Sequence, residues 1–145
     1  MKIAIFPGSF DPFTIGHKDI VERTLPLFDK IIIAIGNNSE KNTLFSVEER
    51  KEKIANAYKN NKKISVEEYT GLTIDFAKQH NAQFIIRGAR NTIDFEYEKQ
   101  IADFNKQEGD IETIILFTNP QYAYISSTLC RDLIKNGKDI SKLTI

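Results

Sequence analysis

Short apolar runs alternate along this chain with longer stretches of mixed polarity. Residues 3–6, 31–35, 64–67, 84–86 and 113–117 read as strands, rich in β-branched and aromatic side chains. The run Ile31-Ile32-Ile33-Ala34-Ile35 is apolar at every position, the pattern of a parallel strand buried on both faces. The intervening stretches carry helical spacing. Residues 17–25 place Ile20, Val21 and Leu25 toward one side, and Pro26 marks the last turn because proline does not fit a helix interior. Ser46-Val47-Glu48-Glu49 has the form of a capping box, and Ile54 and Tyr58 continue the face begun by Val47. Residues 72–80 predict a short helix. Residues 95–107 put Tyr97, Ile101 and Phe104 on one face at i, i+4 and i+7. Residues 127–136 stop at Gly137, suited to the position just past a helix.

Strands alternating with helices predict βαβ units, and so an α/β fold: a doubly wound parallel sheet of five strands, in one domain over residues 1–145. In such sheets ligands bind beyond the carboxyl ends of the strands, near the reversal of strand order. Chemistry is therefore expected in the loops after Phe6, Ile35, Ile86 and Phe117.

Composition narrows the function. A chain of 145 residues, 41% hydrophobic and 28% charged, suits one globular domain and argues against disorder. Twenty Lys+Arg balance twenty Asp+Glu, so the basic excess of a dedicated nucleic-acid binder is missing, while a local cationic pocket remains open. Cys130, the single cysteine, can form neither an intramolecular disulfide nor a zinc site alone. No apolar run approaches the ~20 residues of a membrane span. The apolar part of the N-terminus is too short for a signal peptide. The expectation is a cytoplasmic protein with no nucleic-acid or membrane partner.

The first loop, Pro7 to His17, contains Gly8 and Gly16, whose missing Cβ atoms allow close approach of backbone to a ligand. Ser9 offers a hydroxyl and an N–H. His17 stands near a helix N-terminus, where free N–H groups favour an anion and disfavour a charged imidazole. It therefore reads either as a neutral hydrogen-bond donor or as a simple cap. Neither a P-loop nor a G-x-G-x-x-G stretch is present. Lys41, in the second loop, reads as a solvated lysine or as a cation for the same crevice. Arg87-Gly88-Ala89-Arg90 follows an apolar strand, and its two guanidinium forks suit phosphate oxygens. The competing role for them is pairing with the acids Asp94, Glu96 and Glu98. The last loop ends in Ser126-Ser127-Thr128, whose hydroxyls and N–H groups can cap a helix or hold phosphate. Tyr122 and Tyr124 suit either base stacking or packing. Cys130 falls on the apolar side of its helix, and His80 reads as a surface residue at a helix end.

Thr14-Ile15-Gly16-His17 resembles the T/H-x-G-H signature of the nucleotidylyltransferase superfamily, and Ile125-Ser126-Ser127-Thr128 resembles its second signature. Pro7-Gly8-Ser9-Phe10-Asp11-Pro12-Phe13 and the block from Arg87 to Glu98 resemble, more narrowly, the bacterial phosphopantetheine adenylyltransferases. The resemblance runs from Lys2 to about Asp139. It implies a Rossmann-like fold and a reaction of ATP with 4′-phosphopantetheine, with Mg²⁺, to give dephospho-coenzyme A and pyrophosphate. It implies ATP contacts from Ser9, Phe10 and His17, with Ser9 also near the acceptor phosphate. Lys41, Thr73 and Arg87 would bind phosphopantetheine. Gly88, Ala89, Arg90 and Glu98 would line the nucleotide site, with Tyr122, Ala123, Tyr124, Ile125, Ser126, Ser127 and Thr128. A homohexamer and feedback by coenzyme A are further implications. Ser9 stands where the family often has Thr, keeping the hydroxyl, and Tyr122 stands where Trp is frequent.

An acceptor phosphate is already ionised near neutral pH and needs no general base. The reaction instead needs in-line placement of two anions and a stabilised α-phosphorus, for which His17, Lys41, Arg87 and Arg90 supply donors. Without a dense carboxylate cluster, the metal would be held by phosphates and water. The competing functions are a related enzyme acting on nicotinate mononucleotide or a polyol phosphate, and a non-catalytic nucleotide-binding module. A synthetase fragment fails on length and on the lack of a K-M-S-K-S stretch.

Overall fold

The computed structural model describes residues 1–38 and 42–145. Five strands, β1 (Ile3–Gly8), β2 (Lys30–Gly36), β3 (Ile64–Tyr69), β4 (Phe84–Ala89) and β5 (Glu112–Phe117), form one parallel sheet in the order β3-β2-β1-β4-β5. The helices are α1 (Ile15–Thr24), α2 (Val47–Ala57), α3 (Thr73–Gln79), α4 (Thr92–Gly109) and α5 (Ser127–Lys135). This is the doubly wound, Rossmann-like arrangement. Its strand order reverses beside β1, which pairs with β2 on one side and β4 on the other.

The side-chain period of two divides each central strand between two cores. Ile31, Ile33 and Ile35 of β2 join Ala4, Phe6 and Ile86 on the face covered by Ile20 and Val21 of α1 and Ile54 of α2. Ile32 and Ala34 join Ile5 and Ile85 on the opposite face, against Ile74, Phe76 and Ala77 of α3. That double burial is why residues 31–35 read as an unbroken apolar run. The edge strands β3 and β5 carry Ser65, Glu67, Glu68, Glu112 and Thr113, because an edge is only partly covered.

Several boundaries and faces depart from expectation. Strand β4 continues through Arg87 and Gly88 to Ala89, because β5 pairs with it as far as Ala89↔Phe117. Helix α4 starts at Thr92, three residues before the expected Phe95, since the Asn91 side chain accepts the Asp94 N–H and caps it there. The buried face of α4 is rotated. Tyr97 and Phe104 are 62% and 50% exposed, while Glu98 and Asn105 are each 6% exposed. The inner face of α4 lines a cleft of mixed polarity with Glu98, Ile101, Ala102 and Asn105, so two polar residues turn inward. At Ser46 only half a capping box forms: its Oγ accepts from Glu49 N, and Glu49 Oε1 meets that same Oγ at 3.1 Å. Pro26 sits in a 3₁₀ turn, Leu25–Leu27, that closes α1, and Gly137 adopts φ +72° just past α5. Cys130 is fully buried, and burial raises its thiol pKa. His80 is more engaged than expected: its ring lies tilted against Phe76 with centroids 4.1 Å apart, and Nε2 lies 2.6 Å from Glu67.

Candidate active site

At the reversal of strand order, the loop after β1 and the end of β4 face the start of α5. Between them lies a cleft of about 350 Å³ lined by Ser9, Phe10, Thr14, His17, Arg87, Gly88, Arg90 and residues Ile125 to Thr128. A second lobe of about 240 Å³ lies between β1, β4, α3 and α4 and takes in Tyr69, Thr73, Glu98, Ala102, Asn105 and Thr113. Pro7, Gly8, Ser9 and Arg87 line both lobes, so Ser9 and Arg87 stand at the junction.

The local sequence of the first loop builds the histidine's setting. Thr14, in extended conformation, caps α1: its Oγ1 accepts the His17 N–H, and His17 Nδ1 accepts the Thr14 N–H at 2.9 Å. His17 therefore plays the part a Glu usually plays in a capping box. Because Nδ1 is an acceptor, the neutral ring carries its proton on Nε2 and can donate there. The rings of Phe10 and Phe13 lie 5.0 and 5.2 Å from the imidazole, with Phe6 at 6.2 Å. Burial among these rings, then the positive charges of Arg87 and Arg90, push the His17 pKa down to about 3. Capping and donation are thus compatible: one ring nitrogen caps and the other is left for the cleft.

Gly8 lines both lobes, and a Cβ there would lie 2.9 Å from the Phe10 ring, so the missing atom makes room for that side chain. Phe10 itself is 4% exposed and adopts φ +51°, a left-handed conformation costly for a bulky residue.

The two arginines after Ile86 do pair with the acids of α4. Arg87 donates through Nε and Nη2 to the two carboxylate oxygens of Glu98, both at 2.7 Å, and through Nη1 to Pro7 O at 2.5 Å. Two of its five N–H groups remain for an anion. Arg90 Nε reaches Asp94 at 3.1 Å, and Glu96 stays exposed. Glu98 sits in the second lobe and holds Arg87 in place. Ala89 is 1% exposed within the sheet. Tyr122, Ala123 and Tyr124 do not line either lobe, and Tyr124 is 65% exposed. Thr73 Oγ1 lies 2.9 Å from Tyr69 Oη at the wall of the second lobe. Lys41 lies outside the described residues.

Two helix N-termini, those of α1 and α5, meet at the larger lobe. Ser126 caps α5 by accepting the Leu129 N–H, and Ser127 Oγ donates to Pro12 O at 2.7 Å, strapping α5 to the first loop. Arg131 adds a cation that sequence reasoning missed. It lines the cleft, donates to Asp11 O at 2.9 Å, and lies 3.1 Å from Thr128 Oγ1. Its place one helical turn after Ser127 was the available signal. Asn105 of the second lobe was also missed, because the stripe on α4 was read from its aromatics. A chain of zero net charge thus gathers Arg87, Arg90, Arg131 and two helix dipoles around one cleft, a setting for polyanions. No helix among the described residues is long and apolar enough to cross a membrane.

Residues 5–133 match the cytidylyltransferase-like family. The phosphopantetheine adenylyltransferase of Bacteroides thetaiotaomicron is 56% identical over 142 residues, covering 98% of this chain and 94% of that one. Proteins of the same name from Bacteroides fragilis and Flavobacterium psychrophilum are 55% and 54% identical, covering 97% and 99% of this chain and 94% and 95% of theirs. With such identity over nearly the whole chain, the chain belongs to the phosphopantetheine adenylyltransferases of the cytidylyltransferase-like family.

Proposed function

We propose that the chain transfers the adenylyl group of ATP to 4′-phosphopantetheine, with ATP in the larger lobe and the acceptor in the smaller one. The observation that carries this reading is the junction: Ser9 and Arg87 line both lobes, where an acceptor phosphate would meet the α-phosphate of ATP. An oxygen of the ionised acceptor phosphate attacks the α-phosphorus. The bond from that phosphorus to the bridging oxygen breaks opposite to it, and pyrophosphate leaves with the electron pair. No proton is removed, so no general base is needed. Arg87, fixed by Glu98, orients the acceptor phosphate. Nε2–H of His17 donates to an α-phosphate oxygen as the phosphorus becomes five-coordinate. The N–H groups opening α5, with Arg90 and Arg131, hold the leaving pyrophosphate.

Mg²⁺ is proposed to arrive with ATP and to neutralise charge on its phosphates. The donor set supports phosphates and water as its ligands, since Asp94 and Glu98, the acids beside the two lobes, are already paired with Arg90 and Arg87. A homohexamer in the cytoplasm with feedback by coenzyme A is proposed on the family resemblance. Exposed Ile93, Tyr97, Phe117 and Tyr124 support burial of part of this surface between copies. Direct transfer predicts that labelled pyrophosphate does not exchange into ATP until acceptor or product is added. Rapid exchange with ATP alone would require an adenylylated enzyme and overturn this mechanism.

A further inference from the structure

Arg50, on α2, is 5% exposed, and among the described residues no carboxylate pairs with it. It spends its donors on carbonyls: Nε on Phe45 O and Ser46 O, both at 3.2 Å, and Nη1 on Ser9 O at 2.6 Å. A buried guanidinium without a counter-ion is costly, and this one lies outside both substrate lobes. It lines instead a groove behind the first loop, with Phe10, Pro12, Phe13 and Phe45.

We propose that Arg50 is a positioning residue for the nucleotide phosphates, holding the Ser9–Phe10 peptide from behind so that the Phe10 N–H faces the cleft. In a planar trans peptide the carbonyl and the following N–H point in opposite directions. Ser9 O points to Arg50 on the groove side, so the Phe10 N–H points to the cleft side, and it has no acceptor among the described residues. The next residue is pinned as well. The Asp11 carboxylate accepts Leu44 N and Phe45 N at 2.8 and 2.9 Å, and its carbonyl accepts from Arg131. Phe10, at φ +51°, is thus clamped on both sides in a conformation that a free loop would leave. Arg50 touches no substrate; it acts through the peptide it holds.

This inference rests on the adenylyl-transfer reading, and the experiment separates the two. The full-length protein and its Arg50→Met and Arg50→Lys variants are compared by calorimetric titration with ATP, pyrophosphate and adenosine, and by kcat/KM for ATP. Arg50→Met is expected to weaken ATP and pyrophosphate about 10- to 100-fold, the loss of a charge-assisted contact set, while adenosine changes less than about two-fold. Arg50→Lys, which keeps a donor for Ser9 O, is expected to recover most of that loss. Circular dichroism fixes a temperature at which each variant is folded; if Arg50→Met is unfolded throughout, Arg50→Gln replaces it. Equal weakening of adenosine and pyrophosphate, or wild-type pyrophosphate affinity in the folded Met or Gln variant, overturns the proposal. Wild-type protein that binds pyrophosphate but makes no dephospho-coenzyme A overturns the transfer reading instead, and the Arg50 comparison still stands on binding.

Discussion

His17→Ala is expected to lower kcat by a factor on the order of 10²–10³, the size found for one preorganised donor to a transition state. Its Nδ1 is committed to the Thr14 N–H, so the donating Nε2 is held in one tautomer and one direction. A donor set for the five-coordinate phosphorus contributes more to the transition state than to bound ATP, so ATP affinity should fall much less than kcat. The cap contributes only about 1 kcal/mol, and the variant should remain folded. pH supplies a second reading. With the His17 pKa pushed down to about 3, wild-type turnover should show no acid limb from this group between about pH 5 and 9. The unfolded chain's histidine titrates near 6.5, so the stability gained by keeping His17 neutral is present above that pH and is lost as pH falls toward 3. His17→Ala should flatten that acid slope in a pH series of thermal melts. A folded variant with near wild-type kcat would reduce His17 to a cap.

Breaking the Arg87–Glu98 pair is expected to have the second largest effect. Glu98 is 7% exposed at its side chain and Arg87 29%. Glu98→Gln keeps the shape but leaves the guanidinium without its counter-ion. The cost is set at about 3 kcal/mol, the low end for breaking a buried pair, because Arg87 keeps some contact with water. For a chain of this size that corresponds to a fall in Tm of roughly 6–12 °C. Where the variant is folded, kcat/KM for phosphopantetheine should fall about 10- to 100-fold, with a smaller change in ATP affinity, as the fork drifts from the junction. Arg87→Met combined with Glu98→Gln should be less destabilised than the sum of the two single changes. Additive melts, or unchanged use of phosphopantetheine in both single variants, would contradict the role given to this pair.

Legibility in the sequence followed the range of the interactions. The unbroken run 31–35 announced a buried parallel strand because both faces of β2 are covered, and the loops beyond the strands' carboxyl ends could be named from alternation, while the strand order that selects among them could not. Thr14 and His17 lie three residues apart, so their reciprocal cap was close to readable. The stripe on α4 departs from expectation because periodicity assigns aromatics to the core, whereas this helix turns Glu98 and Asn105 toward the second lobe. Pairing of Arg87 with an acid of α4 was legible only as one of two roles, because nothing local shows that Glu98, among the three acids there, meets it with both oxygens. The long-range contacts of Arg50 and Arg131 were not legible: Ser9 O and Asp11 O lie 41 and 120 residues away from them, and only the folded chain brings these groups together.

The central claim is that the two lobes hold ATP and phosphopantetheine side by side, with Ser9 and Arg87 at their junction. Pyrophosphate release from ATP, followed with phosphopantetheine and separately with nicotinate mononucleotide as acceptor, tests it most directly. The account predicts rapid release with phosphopantetheine, matched mole for mole by dephospho-coenzyme A in the mass spectrum, and only background release with nicotinate mononucleotide. Faster release with nicotinate mononucleotide, or none above background with phosphopantetheine, would contradict it.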